Sequence, residues 1–182
     1  MSRRLRLLTG ALLAGLALPS FAADAPPPLP SAICGTGAAQ GAPTTLDGWA
    51  KGAQRFDGLG NFHRAVTTGS PEAQLYFDQG MRLLWAFNHD ESTRSFAKAA
   101  VLDPDCALCW WGVALTVGPN YNFPEMAAPR AKVAWEALQR AEQGASKANP
   151  VEQALIAALA KRYTGPEPLD PSNEMQIGRA HV

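Results

Sequence analysis

The residues most able to do chemistry in this chain lie in "LDPDCALCWWGVAL" (102–115), where Cys106 and Cys109 stand three apart, followed by Trp110 and Trp111. Two thiols at this spacing can form a redox couple, supply half of a metal site, or close a local disulfide. Covalent haem attachment needs a histidine directly after the second cysteine, and Trp110 stands there. A zinc site needs two more ligands, for which His63 and His89 are the available imidazoles, without a ligand-spacing signature. A thiol in the first turn of a helix gains thiolate character, whereas Asp103 and Asp105 beside the pair oppose it. Three residues of helical separation lie within bridging distance. Buried thiols and a local disulfide therefore stay open as structural readings, and Cys34 could pair with either cysteine.

Elements that could hold such a pair are punctuated in helical terms. Ser70-Pro71-Glu72 supplies a capping hydroxyl, a proline where no N–H is needed and an acid against the positive helix end. A helix over 72–87 follows, with Leu75, Tyr76, Leu83, Leu84 and Phe87 on one apolar stripe, and Trp85 and Trp110 are expected in the core. Asn88-His89-Asp90 reads as a polar break before a second helix over 91–102, which Asp103-Pro104-Asp105 ends. Further helices are expected over 106–117, 130–143 and from the capping box Asn149-Pro150-Val151-Glu152 to about 163, with an irregular insert at 121–129. No run of period-two β-branched residues occurs, so the expected class is all-α.

Upstream, Arg3, Arg4 and Arg6 precede the apolar run "LLTGALLAGLALP" and the small-residue exit Ser20-Phe21-Ala22. That pattern predicts a signal peptide over 1–22, too short to span a bilayer, and an exported, periplasmic or secreted product with no stable membrane insertion after cleavage. Cleavage there removes three of the 16 basic residues and none of the 16 acidic ones. The remaining surface has no basic footprint for nucleic acid. Residues 23–57 read as a Pro/Gly/Ala-rich mobile leader and 58–69 as an irregular lead-in, ahead of helical repeats over 70–165. Beyond them, 166–176 is expected to be a linker or truncation point. The ending "IGRAHV" (177–182) reverse-translates to a common sequencing adapter and is expected to be non-native.

A 34-residue frame started at Ala73 places Tyr76, Gly80, Ser92, Phe96, Ala99 and Pro104 at its fourth, eighth, twentieth, twenty-fourth, twenty-seventh and thirty-second positions. The next frame places Trp110 fourth and Ala114 eighth. This pattern resembles the tetratricopeptide repeat, with Gln79 and Leu83 departing from the usual leucine and tyrosine. The stretch from Leu75 to Ala107 is also similar to a group of uncharacterised exported bacterial proteins of that type, which are generally longer. The resemblance implies antiparallel helix pairs stacked as an α-solenoid, acting as a scaffold for a protein or peptide partner, with no cofactor and no catalysis of its own. It places candidate groove residues at Gln79, Arg82, Asn88 and Lys98 in the first unit and at Trp111 and Thr116 in the second. Trp111, Tyr121 and Phe123 fit the frame less closely and could equally face a partner. In this frame Cys106 and Cys109 are residues of the inter-repeat turn. The alternative is a periplasmic redox or metal-handling protein built on that pair, and a third reading places an enzyme's chemistry in a missing C-terminal part.

Overall fold

Phe96 organises the helices around it, because two glycines leave room for its ring on either side. In the computed structural model, which describes residues 41–120 and 126–168, helix α2 (Pro71–Trp85) lies against α3 (His89–Leu102), and α3 lies against α4 (Ala107–Val117). Phe96 on α3 is fully buried between Gly80 of α2 and Gly112 of α4. A Cβ added to Gly80 would stand 2.8 Å from the ring, and one on Gly112 would stand 2.4 Å away. Phe77 closes the pocket edge-on, with ring centroids 5.3 Å apart. Ser92 deepens the approach by donating its Oγ hydrogen to the Gly80 carbonyl at 2.7 Å. Small residues thus permit the crossing, and one aromatic fills it.

The pairs run antiparallel. Ser92, early in α3, meets Gly80 late in α2, while Asp103 at the α3 C-cap meets Gly69 just ahead of α2. Thr93 and Thr116 join α3 to α4 through a buried hydroxyl pair at 2.9 Å. Helix α5 (Ala128–Gly144) returns along α4 on an alanine-rich face, where Ala131, Ala134, Ala137 and Ala141 are buried with Val133 and Leu138. A short 3-10 turn (Ala145–Lys147) leads to α6 (Pro150–Ala160). There Trp111 Nε1 donates to the Leu155 carbonyl and Tyr163 Oη to the Ala114 carbonyl, so α6 runs the same way as α4. All regular elements of the described residues are helices, and these residues belong to one unit, Gly37–Val182. None of the helices described is long and apolar enough to cross a membrane.

Local chemistry fixes the helix ends. Ser70 Oγ accepts from Ala73 N, Asn88 Oδ1 from Glu91 N, and Asn149 Oδ1 from Val151 N and Glu152 N. Asn88 is therefore the cap of α3, and His89 and Asp90 form its first turn rather than a break. Asp103 accepts from Thr68 Oγ1, Gly69 N and Asp105 N. Burial alone would raise its carboxyl, but these bonds and the Lys147 charge together hold it below the usual carboxylate range.

Three sequence expectations need correction. Residues 46–51, assigned to the leader, form helix α1 (Leu46–Lys51), capped by Thr45 and anchored on α3 by a fully buried Trp49. Arg94 and Arg130 lie over the Trp49 ring at 5.5 and 5.2 Å, which ties this short helix to α3 and α5. Trp85 is not in the core but 67% exposed, since α2 ends at that residue. Leu75 and Phe87 also leave the predicted stripe. Phe87 has φ 60°, a left-handed conformation in which helical periodicity no longer aims its side chain. The signal peptide, most of the leader, Tyr121, Phe123, Cys34 and the segments 169–176 and 177–182 lie outside the described residues.

Candidate functional site

Gln74, Asp78 and Arg82 stand four residues apart, so they form one polar stripe along α2. The lead-in expected over 58–69 lies against this stripe in extended form. Its residues from 63 to 70 alternate between exposed and partly buried, the period of two that an extended chain requires. Arg82 donates from Nε and Nη2 to the Phe62 carbonyl at 3.0 and 2.6 Å. Asp78 Oδ1 accepts from Arg64 N at 3.2 Å, and Gln74 Nε2 donates to the Arg64 carbonyl at 2.9 Å. Gln74 Oε1 then accepts from Val66 N at 3.0 Å. Each helix turn therefore meets every second residue of the segment.

The two periods match for a geometric reason. Eight helical residues rise about 12 Å, and four extended residues span about 13 Å. A stripe at i, i+4, i+8 can consequently follow an extended main chain without losing register. A second crossing uses Gln79, whose Nε2 donates to the Gln54 carbonyl at 2.7 Å while its Oε1 accepts from Phe56 N at 3.0 Å. Gly58 and Gly60, at φ 77° and 79°, reverse the chain between these two passes. The segment continues to Thr67, whose N–H donates to buried Glu152 on α6 at 2.8 Å.

Within this site Asp78 is almost fully buried, and its second oxygen pairs with His63 Nδ1 at 2.7 Å. His63 itself is well exposed, so its Nε2 edge faces outward from an imidazole oriented by a carboxylate. Nothing in the sequence joins these two residues across 15 positions. The signal that could have found Asp78 and Gln74 is the four-residue spacing of polar groups on a helix otherwise rich in apolar residues.

Among the groove candidates, Gln79, Trp111 and Thr116 are buried, and their polar groups are engaged inside the fold. Arg82 holds the lead-in, Asn88 is an exposed cap, and Lys98 is partly buried. The structure thus brings Gln79 and Arg82 together against residues 54–66 and leaves the other four elsewhere. The repeat-frame residues other than Pro104 are buried, with Trp110 Nε1 donating to the Pro104 carbonyl at 2.9 Å.

Cys106 and Cys109 form a disulfide and are both fully buried at the start of α4. Cys106 Sγ also accepts from Cys109 N, so the pair acts as the N-cap of α4. Neither sulfur is reachable by an attacking thiolate, which exchange requires. Burial, with the charges of Arg130 and Arg162, pushes the pKa of His89 below the ordinary value despite the opposing pull of Asp90. Its Nδ1 is buried without a hydrogen-bond partner, as is Nε of nearly fully buried Arg162. Arg130 is held by Asp90 at 3.0 Å and by the Val117 carbonyl at 3.1 Å, while Arg162 donates to the Pro119 carbonyl. Arg130 thus satisfies the last carbonyl of α4, where helix polarity favours cations, and Arg162 a carbonyl just past the helix end. Among the described residues no group of three His, Cys, Asp or Glu side chains is placed to hold a metal ion. No protein-family model matches this chain, no curated protein matches it, and no solved structure matches it.

Proposed function

We propose that the protein is an exported helical-repeat scaffold of the tetratricopeptide type, which binds a protein or peptide partner and performs no catalysis of its own. The observation that carries this reading is the α2 stripe, where Gln74, Asp78 and Arg82 hold an extended polypeptide through its main chain. A helix that takes one extended segment in this way has the chemistry for recognising another. Antiparallel packing of α2 on α3 and of α4 on α5, with α6 following the direction of α4, supports a stacked-pair architecture. The frame positions Gly80, Ser92, Phe96 and Ala114 are all buried, and the first three meet at one helix crossing, which supports the repeat reading. Export rests on the pattern of residues 1–22, and the mass of the mature N-terminus checks it.

The test is photo-crosslinking from single positions in the exported full-length chain. Crosslinkers at Leu75 on α2 and at Asn88, the exposed cap of α3, should each give a defined adduct, while a crosslinker at Gln139 on the exposed face of α5 should give none. A folded chain that yields no adduct from any helix face contradicts the scaffold reading. Redox or metal handling by Cys106 and Cys109 meets the obstacle that both sulfurs are joined and buried. Stoichiometric zinc or copper, lost in Cys109→Ser, would restore that alternative.

A further inference from the structure

Seven large apolar side chains are exposed among the described residues, and five of them surround α2: Phe56, Phe62, Leu75, Trp85 and Phe87. Trp85 and Phe87 are 67% and 72% exposed, and Phe87 is held in a backbone conformation that a bulky residue rarely adopts. Arg82 joins the two groups, because it binds the Phe62 carbonyl one turn before Trp85. Clustering of this kind around one helix marks an interaction surface, whereas scattered exposed residues would not.

The segment over this helix is attached in an unusual way. Its hydrogen bonds to Gln74, Asp78, Gln79 and Arg82 all come from main-chain groups, apart from the His63 imidazole. Neither Phe56 nor Phe62 is buried by the docking, and residues 54–58 and 60–63 are exposed throughout. Apart from Val66, which packs partly buried against the core, burial of apolar area therefore contributes little to holding it. Segments with few buried apolar contacts, held by part-buried and exposed hydrogen bonds, open at a fraction of the global unfolding free energy. Arg55, which donates to the Leu75 carbonyl at 2.7 Å and lies over the Tyr76 ring, adds side-chain contacts, as does His63. The bonds made by the main chain are indifferent to side-chain identity, so another extended segment can make those same bonds.

We propose that the α2 stripe is a receptor for an extended polypeptide segment carrying apolar side chains, and that residues 54–67 occupy it in cis until such a segment displaces them. This rests on the scaffold reading and names its partner class. Gln74, Asp78 and Arg82 pair with the partner's main chain, and Trp85, Phe87 and Leu75 cover its apolar side chains. Attached to the same chain, residues 54–67 compete at an effective concentration in the millimolar range. An isolated peptide is consequently held off until the cis segment is weakened.

The test uses the full chain with Arg64→Pro and Val66→Pro, which remove the N–H donors to Asp78 and Gln74 while keeping an extended backbone. A fluorescein-labelled peptide of natural sequence 54–67 is titrated against it by anisotropy. The double-proline chain should bind this peptide about tenfold more tightly than the natural chain does, since it loses two cis hydrogen bonds, each worth from about twofold to about tenfold. Adding Asp78→Ala should abolish the gain. Equal affinity in the two chains at unchanged helix content, or a gain that survives Asp78→Ala, overturns the proposal. Hydrogen exchange on the natural chain gives a second reading that no misfolded variant can confuse. The Arg64 and Val66 amides should exchange much faster than the Phe77 amide in α2, and exchange at the global rate overturns the proposal. Loss of peptide binding alongside retained crosslinks from Asn88 would remove this receptor and leave the scaffold standing.

Discussion

Gly112→Ala tests the packing that places the stripe. A methyl group on Gly112 meets Phe96 Cδ1 at 2.4 Å, more than 1 Å inside the separation of about 3.5 Å at which carbon atoms attract. The ring has little room to retreat, because the Gly80 backbone lies so close on its far side that a Cβ there would stand 2.8 Å from it, and Phe77 closes the edge. Overpacking of this kind costs about 1–3 kcal/mol, and a pinned ring puts the site at the upper end. Replacing glycine by alanine within a helix returns about 1 kcal/mol. The expected net loss is about 2 kcal/mol, or roughly 4–8 °C in Tm for a chain of this size. Urea unfolding followed by circular dichroism reads it as a lower midpoint at constant slope. Phe96→Leu in the same chain should relieve the clash, giving a coupling energy of at least about 1 kcal/mol in the double-mutant cycle. Gly112→Ala as stable as the natural chain, or strictly additive with Phe96→Leu, would refute the account of the crossing.

Replacing Cys106 and Cys109 together by serine should cost about 2 kcal/mol, the loop-entropy value for so short a closure. Because both sulfurs are buried, dithiothreitol should reduce the bond in the native chain far more slowly than in urea, as thiol-trapping mass spectrometry would show. The His89 pKa lies below its ordinary 6.5, so the stability it confers is complete above 6.5 and is lost as pH falls through the folded value. The urea midpoint should drop on acidification, and His89→Gln should flatten that slope. Burial pushes the Tyr163 hydroxyl up to about 12. Its contribution is complete below pH 10 and is lost as pH rises through about 12. Absorbance titration should show Tyr163 ionising only near that value or on unfolding, and Tyr163→Phe should remove the step.

Elements α2 and α6 were legible because their first turns carry their own capping chemistry, whereas α5, whose cap position is Ala127, was read from its run of helix-forming residues. Ser70 and Asn149 cap as their sequence context predicts, and Pro71 and Pro150 follow them at positions that need no N–H. Gly80, Ser92 and Phe96 were placed by a repeat frame, and the packing gives each a reason. Helix α1 was missed because six residues inside a Pro/Gly/Ala-rich stretch show no period, and only burial of Trp49 against Arg94 and Arg130 decides the matter. Asn88-His89-Asp90 looked like a break because the cap residue was counted with the turn. The outward positions of Trp85 and Phe87 follow from where α2 stops, a boundary that hydrophobic period alone does not fix.

The candidate site escaped the sequence for a deeper reason. Recognition through the main chain leaves no mark on the recognised segment, since any non-proline residue supplies the same N–H and carbonyl. Only the helix side carries a signature, and it is sparse: an amide, a carboxylate and a guanidinium at four-residue spacing. Read as a helix face, Gln74, Asp78 and Arg82 are ordinary solvent-facing polar residues. Their arrangement gains meaning only when set against the rise of an extended chain, because two strand residues span nearly the same length as four helical ones. The near-burial of Asp78 separates the two readings. A carboxylate on a solvated face remains in water, whereas Asp78 gives up its water for Arg64 N, Gln74 Nε2 and His63 Nδ1. That exchange is favourable only while something supplies those donors. When residues 54–67 lift away, Asp78 must be rehydrated or find an equivalent N–H, and an incoming extended chain offers one at the same position.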